Sequence, residues 1–143
     1  ACAPRATIAA MTAPTFDFAV HPERLAICRL PATAAVPAWA QGGFVTVART
    51  ALELSVVCAQ RHVPADVQHD RDKVAFGIVG VVPMTSVGIL AALCRALADA
   101  AVPVFVVSTY DTDYLLVSAP RFAAAREALQ AQGHRFVGEV PAN

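Results

Sequence analysis

Charge is what this sequence has least of. Only 15% of its 143 residues are charged, and 11 Lys plus Arg balance 11 Asp plus Glu, so the formal net charge is zero. Neutralising phosphates takes a basic surface, and the chain has no basic run or stripe, so nucleic-acid binding is excluded. Long apolar runs are also missing. The longest are Ile78–Met84, Gly88–Cys94, Ala100–Val107 and Tyr114–Val117. None approaches the roughly 20 residues that cross a bilayer, so no membrane span is expected. Cys2, Cys28, Cys58 and Cys94 contain no C-x-x-C pair, which removes the usual zinc and redox motifs. They read as buried, reduced, hydrophobe-like side chains, as suits a cytoplasmic protein.

The signatures of catalysis are absent too. There is no G-x-S-x-G elbow, no Walker loop and no G-x-G-x-x-G; Gly77-Ile78-Val79-Gly80 lies within a strand and is too short. Cys94 falls on the apolar side of a helix, a poor setting for a thiolate. His62, Asp66, His69, Asp70 and Asp72 are metal-capable, but their spacing matches no known coordination geometry. His21 and His134 are isolated. No catalytic residue, metal or cofactor is therefore expected, and the protein is read as not an enzyme.

What the sequence does have is apolar residues, at 57%, much of the excess alanine. A well-buried sheet follows. The second half carries the clearest pattern. Val74–Val82 is a continuous, β-branched run, a buried strand. Thr85 and Ser86 are N-cap candidates. Leu90, Leu93, Cys94, Leu97 and Ala101 then recur at helical spacing, and Pro103 ends that helix. Val104–Ser108 and Tyr114–Val117 are strands joined by the polar turn Thr109–Asp113. Pro120 opens a second helix through Phe122, Ala125, Arg126 and Leu129, which Gly133 caps. Arg135–Val140 supplies a last strand. Strand, helix, strand, strand, helix, strand is the ferredoxin-like order, with both helices on one face of an antiparallel sheet.

The first half is less regular. Leu25–Leu30 is a strand. Pro31–Gln41 has room for one helical turn at most. Phe44–Arg49 and Leu54–Cys58 pair through a turn near Thr50–Glu53, which Arg49 and Glu53 flank as a candidate ion pair. Thr15–Val20 is a candidate edge strand, and His62–Asp72 reads as a polar linker. Trp39, in a Pro/Gly loop, is either an interface anchor or a plug over the core. Ala1–Met11 is a poor signal peptide, with Met11 a candidate start, and Ala1–Pro14 is expected to be a frayed arm. The two halves echo each other only faintly. The expected division is an arm over 1–14, a first module with linker over 15–72, and a second module over 73–143.

Two segments are candidates for function. Ser108–Asp113 packs two carboxylates, three hydroxyls and a phenol into a turn that needs none of them. The helix start near Ser86, Val87, Gly88 and Ile89 offers free N–H groups and a positive dipole end. Together they form a plausible zwitterion site, with Asp113 or Asp111 against the ammonium. The competing reading is purely structural: Asp111 and Asp113 bend the hairpin, and Ser86 caps its helix.

The segments STYDTDYLLV (Ser108–Val117), GILAALCRALADAAVPVFVV (Gly88–Val107), FVTVARTALELSVVC (Phe44–Cys58) and the loop PAWAQGG (Pro37–Gly43) together resemble the ACT-domain family. The similarity is to its bacterial branch related to the CASTOR arginine sensors and to aspartokinase regulatory domains, and it spans about Leu25 to Val137. The resemblance implies an α+β fold of two tandem ferredoxin-like (βαββαβ) modules, the first abbreviated. It implies a non-catalytic regulatory protein that binds a free amino acid at an ACT–ACT interface, in a homodimer. The implied ligand residues are Gly80, Thr85, Ser86, Val87, Gly88 and Ile89 on one side, and Thr109, Tyr110 and Asp113 on the other. The loop Pro83–Gly88 lacks the acidic residue of arginine-binding members. The alternative is a protein-interaction or dimerisation module without a small-molecule ligand.

Overall fold

The computed structural model describes residues 14–138. The expected N-terminal arm lies outside these except for Pro14, as do Cys2 and the end of the expected last strand. The elements are β1 (Asp17–Val20), β2 (Leu25–Leu30), β3 (Thr46–Arg49), β4 (Leu54–Ala59), β5 (Gln68–Ile78), α1 (Ile89–Asp99), β6 (Phe105–Ser108), β7 (Asp113–Ser118), α2 (Phe122–Ala131) and β8 (Arg135–Val137). Single 3-10 turns, Gln60–His62 and Ala119–Arg121, follow β4 and β7.

All eight strands join in one sheet, and β5 is the strand its two halves share. The first half of β5 pairs with β2, placing Gln68 opposite Arg29 and His69 opposite Cys28. Its second half lies between β1, with Ile78 opposite Phe18, and β7, with Gly77 opposite Tyr114. The first set of strands runs β3-β4-β2-β5, the second β6-β7-β5-β1-β8. Counted within each set, both follow the ferredoxin-like order, with β1 inserted beside β5 in the second.

A repeat unreadable in the residues is plain in the elements. β3, β4 and the 3-10 turn begin at 46, 54 and 60; β6, β7 and the second 3-10 turn begin 59 residues later, at 105, 113 and 119. The helices break the likeness. In the second repeat α1 and α2 cover one face, setting Leu93, Leu97, Ala125 and Leu129 on Phe18, Val74, Phe76 and Ile78. Each of the leucine, isoleucine, valine and phenylalanine side chains among these contributes about 1.5–3 kcal/mol on burial. In the first repeat a loop replaces the helix: Ala34, Trp39 and Ala40 pack on Ala26, Cys28, Leu54, Val56 and Cys58. Trp39 is thus the plug over this core. On the opposite face Leu25, Phe44, Val57, Ala75 and Leu116 bridge the two repeats.

Local chemistry explains the boundaries. α1 stops at Asp99 because Ala101 takes φ 55° and Pro103 follows. Arg121 bridges the exposed carbonyls of Ala100 and Ala101 at 3.2 and 3.0 Å. α2 ends before Gly133, whose φ of 91° suits glycine.

Four expectations are corrected. The Thr15–Val20 strand is not at an edge: β1 pairs antiparallel with β5 and parallel with β8. His62–Asp72 is not all linker, since Gln68–Asp72 begins β5. Its polar groups are consumed locally. Arg71 donates to His69 Nε2 at 2.7 Å and to the carbonyls of Gln60 and Val63 at 2.9 and 2.8 Å, and Asp72 exchanges two hydrogen bonds with Gln60. Neither Thr85 nor Ser86 caps α1; the N-cap is Gly88, at φ 84° with no side-chain cap bond. Glu53 pairs with Arg29 at 3.0 Å, while Arg49 donates to the carbonyls of Ala32 and Ala34.

Candidate functional site

The loop 79–88, which joins β5 to α1, and the β6–β7 turn face one another across the end of the sheet. They are tied together directly. The Val82 N–H donates to the Asp111 carbonyl at 2.7 Å, and the Thr112 hydroxyl donates to the Ile78 carbonyl at 2.9 Å. Thr109 closes the turn: its N–H donates to the Thr112 carbonyl at 2.8 Å, and its hydroxyl accepts from the Thr112 N–H at 3.3 Å. A threonine hydroxyl therefore shapes the turn itself. At its base Asp113, the cross-strand partner of Ser108, accepts from the Ser108 hydroxyl through Oδ1 at 2.5 Å.

Between these segments is an open cleft of about 500 Å³. Its walls are apolar on the loop and helix side (Val82, Pro83, Met84, Ile89, Leu90, Ala91) and polar on the turn side (Ser108, Thr109, Thr112, Asp113). Of the expected site residues, Ser86, Gly88, Ile89, Thr109, Tyr110 and Asp113 line it. Gly80, Thr85 and Val87 lie on the same loop but do not. The ligand residues implied by the resemblance omitted Val82, Pro83, Met84, Leu90 and Ala91, while Ser108 and Thr112 lay inside the candidate turn without a ligand role; the helical stripe pointed at Leu90 but assigned it wholly to the core.

Cys94, on α1, has its thiol pKa raised first by burial and then by the negative charge of Asp113. The first backbone N–H groups of α1 have no intrahelical partner, and no side chain caps them. The Ser86 N–H is not among the free donors, because it bonds the Pro83 carbonyl at 2.9 Å. Exposed apolar side chains crowd this end of the fold: Val79, Val81, Met84, Val87 and Tyr110, with Val87 95% exposed.

The counterpart position in the first repeat is closed. Leu54 stands where Asp113 stands in the second, and it is fully buried in the cluster that Trp39 covers. Arg49 replaces Ser108 and is spent on the Ala32 and Ala34 carbonyls. Of the five metal-capable residues of 62–72, Asp70 pairs with Lys73 at 2.8 Å, His69 accepts from Arg71 and Asp72 accepts from Gln60. Among the described residues no group of three or more His, Cys, Asp or Glu is placed to hold a metal ion. None of the helices described is long and apolar enough to cross a membrane.

Residues 68–131 match the family model of the ACT domain, and residues 23–66 match a model of an N-terminal domain. A crystallised protein from Agobacterium tumefaciens is 33% identical over 92% of this chain and 99% of its own, with a TM-score of 0.85. A protein of unknown function from Vibrio cholerae, titled a possible transport protein, is 16% identical over 82% of this chain and 90% of its own, at 0.65. The regulatory subunit of aspartate kinase from Thermus thermophilus, in a ligand-free form, is 13% identical over 80% and 95%, at 0.57. No curated protein matches the sequence.

Proposed function

The chain belongs to the ACT-domain family, and on that premise we propose that it is a non-catalytic regulatory protein whose cleft binds a free amino acid where two copies meet. The observation that carries this is the arrangement around Asp113. One carboxylate, held by Ser108, faces the uncapped start of α1 across the cleft. A zwitterion needs both: an acceptor for its ammonium and N–H donors for its carboxylate. Each contact is worth about 0.3–1 kcal/mol when exposed and up to ~2 when partly buried, so useful affinity requires shielding. The exposed Met84, Val87 and Tyr110 at the rim supply the surface for a second copy, and a two-fold dimer is the commonest closed arrangement. The fold shared with an aspartate kinase regulatory subunit supports a regulatory rather than catalytic role. So does the state of the thiols: Cys28, Cys58 and Cys94 are free and all have raised pKa values, so none is an activated nucleophile. Free thiols also suit a reducing, cytoplasmic setting.

The test is thermal melting against each standard amino acid at millimolar concentration, repeated with Asp113→Asn. A ligand at 100 times its Kd adds about 2.7 kcal/mol, a shift of several degrees at about 2–4 °C per kcal/mol. A selective rise that Asp113→Asn abolishes, in a variant melting like the parent, supports the proposal. A flat response across the panel sinks it and favours a protein-interaction module.

A further inference from the structure

We infer that the amino acid this cleft takes is a neutral one with an apolar side chain, and that acidic and basic amino acids are rejected by charge imbalance. The inference rests on the reading of the cleft given above and adds its selectivity. Among the thirteen residues with which one copy lines the cleft, Asp113 carries the one formal charge; no Lys, Arg or His is among them. Asp111, two positions away, is exposed and is not part of the lining.

An α-amino acid brings one ammonium and one carboxylate. Asp113 matches the ammonium, and backbone N–H dipoles match the carboxylate, which closes the account of charge for a neutral ligand. A side-chain carboxylate brings a second anion beside Asp113 with no cation to meet it, and desolvating an unmatched charge is costly. A side-chain ammonium or guanidinium has the converse problem, since the lining holds no second carboxylate. What remains for the side chain is the wall formed by Val82, Ile89, Leu90 and Met84. Three of these are half-buried and packed on the main core, so the wall is fixed in place. Met84 is 74% exposed and unbranched, so it can adjust to ligands of different shape. Selectivity here comes from what the cleft leaves unmatched as much as from what it contacts.

Isothermal titration of the intact protein with leucine, methionine, glutamate and arginine, each alone, tests this. Neutral ligands are expected to bind at least about tenfold more tightly than the charged ones, a difference of roughly 1.4 kcal/mol. Met84→Glu places a carboxylate at an exposed rim position where folding is not at stake, and is expected to move the preference toward arginine. Tightest binding of glutamate or arginine to the parent protein would overturn the selectivity while leaving amino-acid binding standing. Binding of none of the four or of any other amino acid would overturn the proposed function, and the selectivity with it. A Met84→Glu variant with unchanged preference would place the ligand away from this wall and refute the assignment.

Discussion

Replacing Phe18 with alanine measures how central the N-terminal strand is. Phe18 is fully buried, although it lies within five residues of the first described position. Its ring meets Phe76 edge-on at 5.5 Å, His134 at 5.5 Å and Phe136 at 5.3 Å, so it joins β1 to β5, α2's following loop and β8 at once. Truncating a fully buried phenylalanine to alanine costs about 3–5 kcal/mol. At about 2–4 °C per kcal/mol, Tm should fall by roughly 6–20 °C. An edge strand would behave otherwise, because exposed substitutions stay within about 0.5 kcal/mol. Urea unfolding followed by circular dichroism gives the free energy directly, with an unchanged m-value showing that the same unit unfolds. A loss below about 1 kcal/mol would refute the claim that β1 is built into the core. A large loss would also mean that removing residues before Leu25 takes the second repeat apart, not the first.

Gly77→Ala should be disruptive although the change is one methyl group. A Cβ there would sit 2.5 Å from Tyr114 Cε1, and Tyr114 in turn packs edge-on against Phe44 at 5.0 Å. A loss of about 1–3 kcal/mol, with a changed near-ultraviolet tyrosine signal, is expected; an unperturbed signal would contradict this packing. Stability should also fall on mild acidification. Burial lowers the pKa of His134 from 6.5, and its Nδ1 accepts the Phe16 N–H at 3.1 Å, which requires the neutral ring. The unfolded chain therefore takes the proton first, so this stability is complete above pH 6.5 and is lost as pH falls toward the folded-state value. His21 shifts in the same direction by burial. Urea midpoints between about pH 7.5 and 5.5 should show the decline, and His134→Asn should lessen it, leaving the part due to His21. Finally, thiol labelling mapped by mass spectrometry should spare Cys28, whose pKa is pushed up to about 11, and Cys58 until the protein unfolds; rapid native labelling of either would refute their burial.

Much of the second repeat was legible in the residues. Leu90, Leu93 and Leu97 at helical spacing, Pro103 after them, and the polar break at Thr109–Thr112 between apolar runs each state a local preference, and local preferences were met. The turn stood out in the sequence because its polarity exceeds what a hairpin needs, and in the structure it lines the cleft. The detail of the site was less legible. Ser86 looked like a helix cap, yet Gly88 takes that position at φ 84°, since the loop must first reach across to bond Asp111.

Composition and periodicity by themselves determined the class of fold, the absence of a basic surface, the helices of the second repeat and the candidate turn, because these depend on neighbours in the chain. Tertiary structure alone decided three things. It placed β1 between β5 and β8, a pairing between residues more than a hundred positions apart. It made Gln68–Asp72 strand rather than linker, because Arg71 and Gln60 satisfy polar groups that composition marks as exposed. It opened the cleft in the second repeat and closed its counterpart in the first, since whether Asp113 or Leu54 meets solvent depends on what lies across the sheet from it, a helix start in one case and the Trp39 loop in the other.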